Sequence, residues 1–173
     1  MLMRNLGSRH HRWSGYDAAQ ICENGHVINW FAESSPQKNQ DYCTACGTLT
    51  LKTCSHCQQT IRGYLHTRGV VRHVPSVAPS FCHKCGTAYP WTEKGIKAAK
   101  DLIAEAEKLS PEEKEALSKS LDDIVCDTPS TQAAVIRFKK FLPKTGKEIA
   151  EALRSIVVDV ASEAAKKLLW PST

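Results

Sequence analysis

The chain has 173 residues, 42% of them hydrophobic and 24% charged, a composition of ordinary globular domains that excludes disorder throughout and allows one domain or two small ones. No run of eighteen apolar residues occurs, so no membrane span is expected. The formal charge of +5 is distributed unevenly: residues 1–90 carry nine Lys+Arg against four Asp+Glu, and the remainder fourteen against fourteen.

The first residues contain Arg4, Arg9 and Arg12 beside His10 and His11, with no apolar run of signal-peptide length. Residues 1–15 therefore read as a basic, disordered tail, and the chain as a cytoplasmic protein. In a reducing compartment, eight cysteines favour metal binding over disulfides, with zinc as the default ion.

Seven of the eight cysteines and all seven histidines lie in residues 1–90. Three C-x-x-C pairs stand at Cys43/Cys46, Cys54/Cys57 and Cys82/Cys85, and Gly47 and Gly86 follow two of them as in a zinc knuckle. Six thiolates are two short of two tetrahedral sites. Cys22 and His26 supply the difference as a C-x-x-x-H pair, sixteen residues before Cys43, with Gly25 favouring the tight return that brings both side chains to one ion. Pairing in sequence order gives Cys22, His26, Cys43 and Cys46 as site one (22–46), and Cys54, Cys57, Cys82 and Cys85 as site two (54–85). This predicts two Zn2+ per chain in a tandem zinc-ribbon domain over 16–90. A crossed arrangement, with Cys43/Cys46 meeting Cys82/Cys85, is the alternative, and His66 and His73 are the other histidines able to replace His26. His56 and His83 lie inside their own cysteine pairs and read as solvated loop residues. Strand-like pieces at His26–Phe31 and from Gly63–His66 onward to Val70 and Val71 suit small hairpins. Units of about 45 residues bury little apolar surface, so metal must supply much of their folding free energy.

Both sites are filled by protein ligands and lack the open position of a catalytic zinc, and neither H-E-x-x-H nor H-x-E…P-C-x-x-C occurs. A thioredoxin-type redox pair would need an alternating strand–helix frame that is not present. Structural zinc is the expectation.

Tyr16-Asp-x-Ala-Gln20, Cys22-x-x-Gly-His26-Val-Ile28, Cys43-x-x-Cys-Gly47, Ile61-Arg-Gly-Tyr64 and Tyr89-Pro-Trp-Thr-Glu93 follow one another in an order that resembles a bacterial family known as domain of unknown function 2321. The similarity runs from about Tyr16 to the end and leaves residues 1–15 outside. The resemblance implies a zinc-ribbon-like front and a helical back, places the ligand pairs at the same positions, and implies no activity.

From Thr92 the hydrophobic period becomes helical, defining a helical domain over 91–173 with about four helices, and thus a small α+β chain overall. Ile96, Ala99, Ile103, Ala106 and Leu109 line a first helix. Ser110-Pro111-Glu112-Glu113 reads as a cap, an N1 proline and a capping-box glutamate opening a second, with Leu117, Leu121, Ile124 and Val125 inward. Thr128-Pro129 predicts the start of a third helix, carried by Ile136, Phe138 and Phe141 to Pro143. A fourth is expected from about Lys144 to Leu169, ~39 Å long, with Ile149, Leu153, Ile156, Val157, Val160, Ala164 and Leu168 on its stripe and an overhang suited to self-association. Cys126 reads as a small buried hydrophobe.

The function expected is that of a zinc-binding adaptor or regulatory protein meeting a macromolecule, foremost another protein or a second copy of the chain, through the ribbon surface or the helical domain. Nucleic acid is the alternative, with Arg62, Tyr64, His66, Arg68 and Arg72 as contacts, a basic stretch interleaved with rings. Charge arithmetic weakens that alternative: seven thiolates and two Zn2+ reduce the front's +5 to about +2. An enzyme using His66 or His73 with Asp41, or Cys126 as nucleophile, is the third reading, and no phosphate loop or nucleophile elbow supports it.

Overall fold

A computed structural model describes residues 14–170. The expected basic tail lies almost wholly outside the described residues. The chain divides into two compact units, Met1–Cys85 and Gly86–Thr173, close to the boundary that composition indicates.

The front unit has five short strands: β1 (Gly15–Ala18), β2 (Gln20–Cys22), β3 (Val27–Asn29), β4 (Thr50–Leu51) and β5 (Arg62–His66). They form a three-stranded sheet in the order β3-β2-β4 and a separate antiparallel pair, β1 with β5. This differs from the expectation of a self-contained hairpin within each ribbon. Strand β5 lies between the two cysteine pairs of site two yet pairs with β1, which precedes site one, so the two ribbons are interlocked. Nor does the second strand run on to Val71: the chain turns at Thr67–Val70, where the positive φ of Gly69, +74°, permits a tight return. Strands β1 and β2 escape the sequence pattern because Asp17 and Gln20 are buried, which removes the apolar–polar alternation.

The front core is small and partly polar. Besides cysteines, its buried apolar residues among those described are Ala18, Ala19, Ile21, Ala32 and Ile61. Buried polar side chains complete it by gripping the loop after β3. Asp17 Oδ1 accepts from the Glu33 N–H at 3.0 Å and Oδ2 from the Ser34 hydroxyl at 2.5 Å. Asn29 Nδ2 donates to the Ser35 carbonyl and to Asn39 Oδ1, and Asn39 in turn donates to the Ala32 carbonyl. Gln20 both donates to and accepts from the backbone of Gln40. Each of these groups is paired, as burial requires.

The back unit holds five helices among the described residues: α1 (Pro90–Ala104), α2 (Pro111–Val125), α3 (Thr131–Phe141), α4 (Lys147–Val160) and α5 (Glu163–Leu169). The first ends earlier than the pattern indicates, although Ala106 and Leu109 still enter the core. Helix α2 starts as read: the Ser110 hydroxyl accepts from the Glu113 N–H at 3.2 Å, and the Glu113 carboxylate accepts from the Ser110 N–H at 3.1 Å. Helix α3 begins two residues later than a Thr128 cap would give. There Thr131 is buried, accepting from the Thr128 N–H and donating to the Asp123 and Cys126 carbonyls.

The expected long fourth helix is two helices. Gly146, at φ +92°, separates a short 3-10 turn over Leu142–Thr145 from α4, and Ala161 and Ser162 are extended at ψ 148° and 155°. Ser162 is the cause of the second break. Its hydroxyl caps α5 by accepting from the Ala165 N–H, while its own N–H donates to the Ile124 carbonyl at the end of α2. Helix α5 then packs on α3, so the single long helix that was expected to overhang its neighbours is not formed. One core runs through this unit, with Ile103, Leu117, Leu121, Ile124, Phe138, Leu153 and Val157 buried.

Two glycines are fixed by close approach. A Cβ on Gly63 would lie 2.6 Å from the Ala18 carbonyl oxygen and closer still to that of Trp30, so Gly63→Ala forces apart three backbone segments. Its expected cost exceeds ~3 kcal/mol, read as loss of slow amide exchange in the front unit while that of the back unit persists. A Cβ on Gly95 would meet Val160 Cγ1 at 2.5 Å across α1 and α4. Alanine gains ~1 kcal/mol in helix propensity, but the stiff valine makes the clash larger. Gly95→Ala should lower the melting temperature, and adding Val160→Ala should restore part of the loss.

Candidate metal centres

The eight expected ligands gather in two groups of four, paired in sequence order rather than crossed: Cys22, His26, Cys43 and Cys46, and Cys54, Cys57, Cys82 and Cys85. Within each group every donor atom lies within 4.8 Å of the others. Neither His66 nor His73 replaces His26.

In site one, Cys22 Sγ stands 3.7 Å from Cys46 Sγ and 3.5 Å from His26 Nδ1, and Cys43 Sγ stands 3.6 Å from the same nitrogen. In site two, Cys54 and Cys85 are 3.8 Å apart and Cys57 and Cys82 3.7 Å. A tetrahedral ion with metal–sulfur bonds of about 2.3 Å separates its sulfurs by about 3.8 Å, and a sulfur from an imidazole nitrogen by about 3.6 Å. The spacings match, and they are far too long for the ~2.05 Å of a disulfide. Each group could therefore hold one four-coordinate metal ion.

Local chain geometry explains how the donors converge. Cys22 ends β2, and the chain reverses through Gly25 at φ +88°, so that the Cys22 N–H reaches the His26 carbonyl at 3.0 Å. The three C-x-x-C turns share one conformation. The residue after the second cysteine has positive φ in each: Gly47 at +70°, Gln58 at +58° and Gly86 at +73°. In the first two turns its N–H bonds back to the carbonyl of the first cysteine, Gly47 to Cys43 at 2.8 Å and Gln58 to Cys54 at 2.9 Å. Bridges Tyr42–Leu49 and Thr53–Thr60 close these same two turns. Gln58 is the sole non-glycine at positive φ among the described residues, and sequence reading missed it, since only two of the three pairs show a glycine. Its side chain compensates in part, donating to the Ser55 carbonyl.

Donor electrostatics favour a cation. Cys46 is lowered to about 5, chiefly by the Thr48 hydroxyl 3.1 Å from its sulfur. Cys57, although the Gln59 N–H lowers it, is pushed up to about 12 by burial and by the sulfurs of Cys85, Cys82 and Cys54. Four thiols so close cannot all ionise unless positive charge sits among them. Backbone N–H groups of His26 and Lys84 also point at Cys22 and Cys82 sulfurs, as outer-shell donors do around bound thiolates.

The residues singled out for partner contact lie on β5 and the turn after it, and most are engaged internally. Arg62 stacks on the Tyr16 ring, its guanidinium carbon 4.6 Å from the centroid. Tyr64 and His66 pack edge-on at 5.0 Å and both meet Phe31. His66 Nε2 sits 3.2 Å from Asp17 Oδ2, so the carboxylate beside this histidine is Asp17 rather than Asp41. Burial alone would raise Asp17, but the Ser34 hydroxyl, the Glu33 N–H, His66 and the Ala18 N–H hold it below the usual carboxylate range. Arg72 Nε donates to Thr67 Oγ1, and Arg68 is exposed. Cys126 is pushed up by burial and by the nearby Asp122 and Asp123 carboxylates, which works against thiolate chemistry.

The bacterial family described as "Uncharacterized protein conserved in bacteria" (DUF2321) matches residues 15–169. Comparisons with curated proteins and with solved structures return no match.

The shared turn conformation separates Gly47 from Gln58 in a way denaturation can measure. Gly47→Ala puts a Cβ at φ +70° with open space around it, so the strain alone should destabilise the front unit by about 1 kcal/mol. Gln58→Gly relieves the same strain at φ +58° and should stabilise it by up to ~1 kcal/mol. Urea midpoints of the two variants are expected on opposite sides of the parent's.

Proposed function

We propose that this chain, which belongs to the DUF2321 family, is a non-catalytic binding protein whose front unit is folded around two structural Zn2+ ions and presents a surface to another macromolecule, foremost a protein. The observation that carries the reading is the gathering of the donor atoms in two groups of four, all within 4.8 Å of one another, with neighbouring donors as close as 3.5 to 3.8 Å. Thiolate and imidazole donors in a tetrahedral set suit Zn2+ ahead of the hard ions Mg2+ and Ca2+. Cys22, His26, Cys43 and Cys46 would hold one ion, and Cys54, Cys57, Cys82 and Cys85 the other. Four protein donors at each ion leave no position for substrate or water, which supports a structural role over a hydrolytic one. Thiolates that must stay reduced favour a cytoplasmic setting. Among the described residues, no helix is long and apolar enough to cross a membrane.

Elemental analysis of protein purified without added metal should find two zinc ions per chain, and one zinc or iron would overturn the two-site reading. Replacing His26 with Ala should release one equivalent, measured with a chromogenic chelator. Full stripping by a strong chelator should abolish amide protection in the front unit and leave the helical unit's far-ultraviolet signal, since that unit holds its own core.

A further inference from the structure

The turn after β5 is held with unusual firmness for an exposed loop. The Val70 N–H donates to the Thr67 carbonyl at 3.1 Å. The Tyr64 hydroxyl then grips the next stretch from both sides, accepting from the Arg72 N–H at 2.9 Å and donating to the Arg72 carbonyl at 3.1 Å. Between these two fastenings stand Val70, 51% exposed, and Val71, 97% exposed. Arg68 and Arg72 flank them, both exposed. Residues 71–80 belong to no helix or strand, and Val74 and Val77 continue the exposed aliphatic run.

Charge indicates what would cover this element. From Tyr42 through Thr92 the sequence has no Asp or Glu, while Lys52, Arg62, Arg68, Arg72 and Lys84 fall within it. Metal-bound thiolates offset part of this excess across the unit, but Arg68 and Arg72 stand exposed on either side of the valines, so at this turn an acidic partner is favoured and the valines decide its class. Phosphates and bases gain little from aliphatic side chains, and the rings on β5 and against it are already in contact, Tyr16 with Arg62 and Tyr64, His66 and Phe31 with one another, which leaves His73 as the exposed ring beside the turn. Aliphatic knobs between cations instead complement a polypeptide that alternates aliphatic and carboxylate side chains.

We infer that the turn 67–72 is a docking element for an extended protein segment rich in aliphatic and acidic residues, whose aliphatic side chains cover Val70 and Val71 and whose carboxylates pair with Arg68 and Arg72. Clamping by Tyr64 lowers the ordering cost on binding, as preorganised loops do. The inference rests on the reading of the protein as a metal-folded binder, and it adds the surface and the chemistry of the partner.

Panning a phage-displayed random dodecapeptide library against the zinc-loaded full chain tests it. Selected peptides should be enriched in Asp and Glu alternating with Val, Ile or Leu. Measured by fluorescence anisotropy, the best peptide should bind Val71→Ser about tenfold more weakly, the loss expected for one covered valine. Arg68→Glu should weaken it at least as much, and Ile136→Ser, an exposed aliphatic on α3, should leave it unchanged. Two zinc ions in each variant establish that the front unit is intact. Peptides without acidic enrichment, no selection above background, or equal binding by Val71→Ser would overturn the docking inference while leaving the metal reading standing. So would tight binding of a labelled oligothymidylate that Val71→Ser preserves and Arg68→Glu abolishes, which would assign the surface to nucleic acid.

Discussion

Convergence of four donor atoms at each of two points is the constraint on which the front unit depends. Among the described residues its fully buried aliphatic side chains larger than alanine are Ile21 and Ile61, contributing together about 5 kcal/mol of transfer free energy. A structural zinc supplies roughly 10–16 kcal/mol in small domains of this kind. A metal term of that size would be the larger, and under the proposed two-ion reading strand pairing and loop conformation in this unit follow from bringing sulfurs together. β2 illustrates the order of causes. It is only three residues long, yet it is central in its sheet because it carries Cys22 into a site whose other side chains come from the β2–β3 turn and the first knuckle.

Buried amides and one carboxylate do the work that apolar side chains do elsewhere. The loop from Glu33 to Asp41 carries no cysteine or histidine and no branched aliphatic or aromatic side chain, and without fixing it would leave much of the stretch between His26 and Cys43 free to wander. Asp17, Gln20, Asn29 and Asn39 fasten it through side-chain hydrogen bonds, each with its partner in place. A satisfied polar network is demanding in geometry, which suits a unit that must hold several knuckles in register rather than fill a volume. The back unit is built on the opposite principle, with α-helices closing on a continuous apolar core and capping done by Ser110 and Ser162.

The two groups of four donors were legible in the sequence because a tetrahedral metal site demands short spacings: two intervening residues within a knuckle, three between Cys22 and His26, and a count of four per site. Helix starts with a strong local signal, such as Ser110-Pro111 with Glu113, were legible for the same reason. What escaped depends on partners distant in sequence. No local pattern shows that β5 pairs with β1, because that choice is made by the close approach of Gly63 to Ala18 and Trp30. The break at Ser162 carries a cap signature, but the apolar stripe runs through it. Only the Ile124 carbonyl, which takes the Ser162 N–H, shows why the helix yields there. Gln58 is hidden in another way, since a positive φ without glycine leaves no mark in composition.

Interlocking of the two ribbons also bears on how a surface is presented. Because β5 is anchored to β1, and through Asp17 and His66 to the loop that the polar network fixes, the segment leaving β5 starts from a rigid base. Tyr64 extends that rigidity two residues beyond the hydrogen bond of the Thr67–Val70 turn, to the backbone of Arg72. Sequence reading grouped Arg62, Tyr64, His66, Arg68 and Arg72 as one contact patch on the strength of charge and rings. Geometry divides that patch: Arg62, Tyr64 and His66 hold the platform, while Arg68 and Arg72, the latter clamped at its backbone by Tyr64, frame what the platform displays. A tyrosine that clamps a loop and an arginine that meets a partner look alike in a sequence, and it is the hydrogen bonds of Tyr64 that tell them apart.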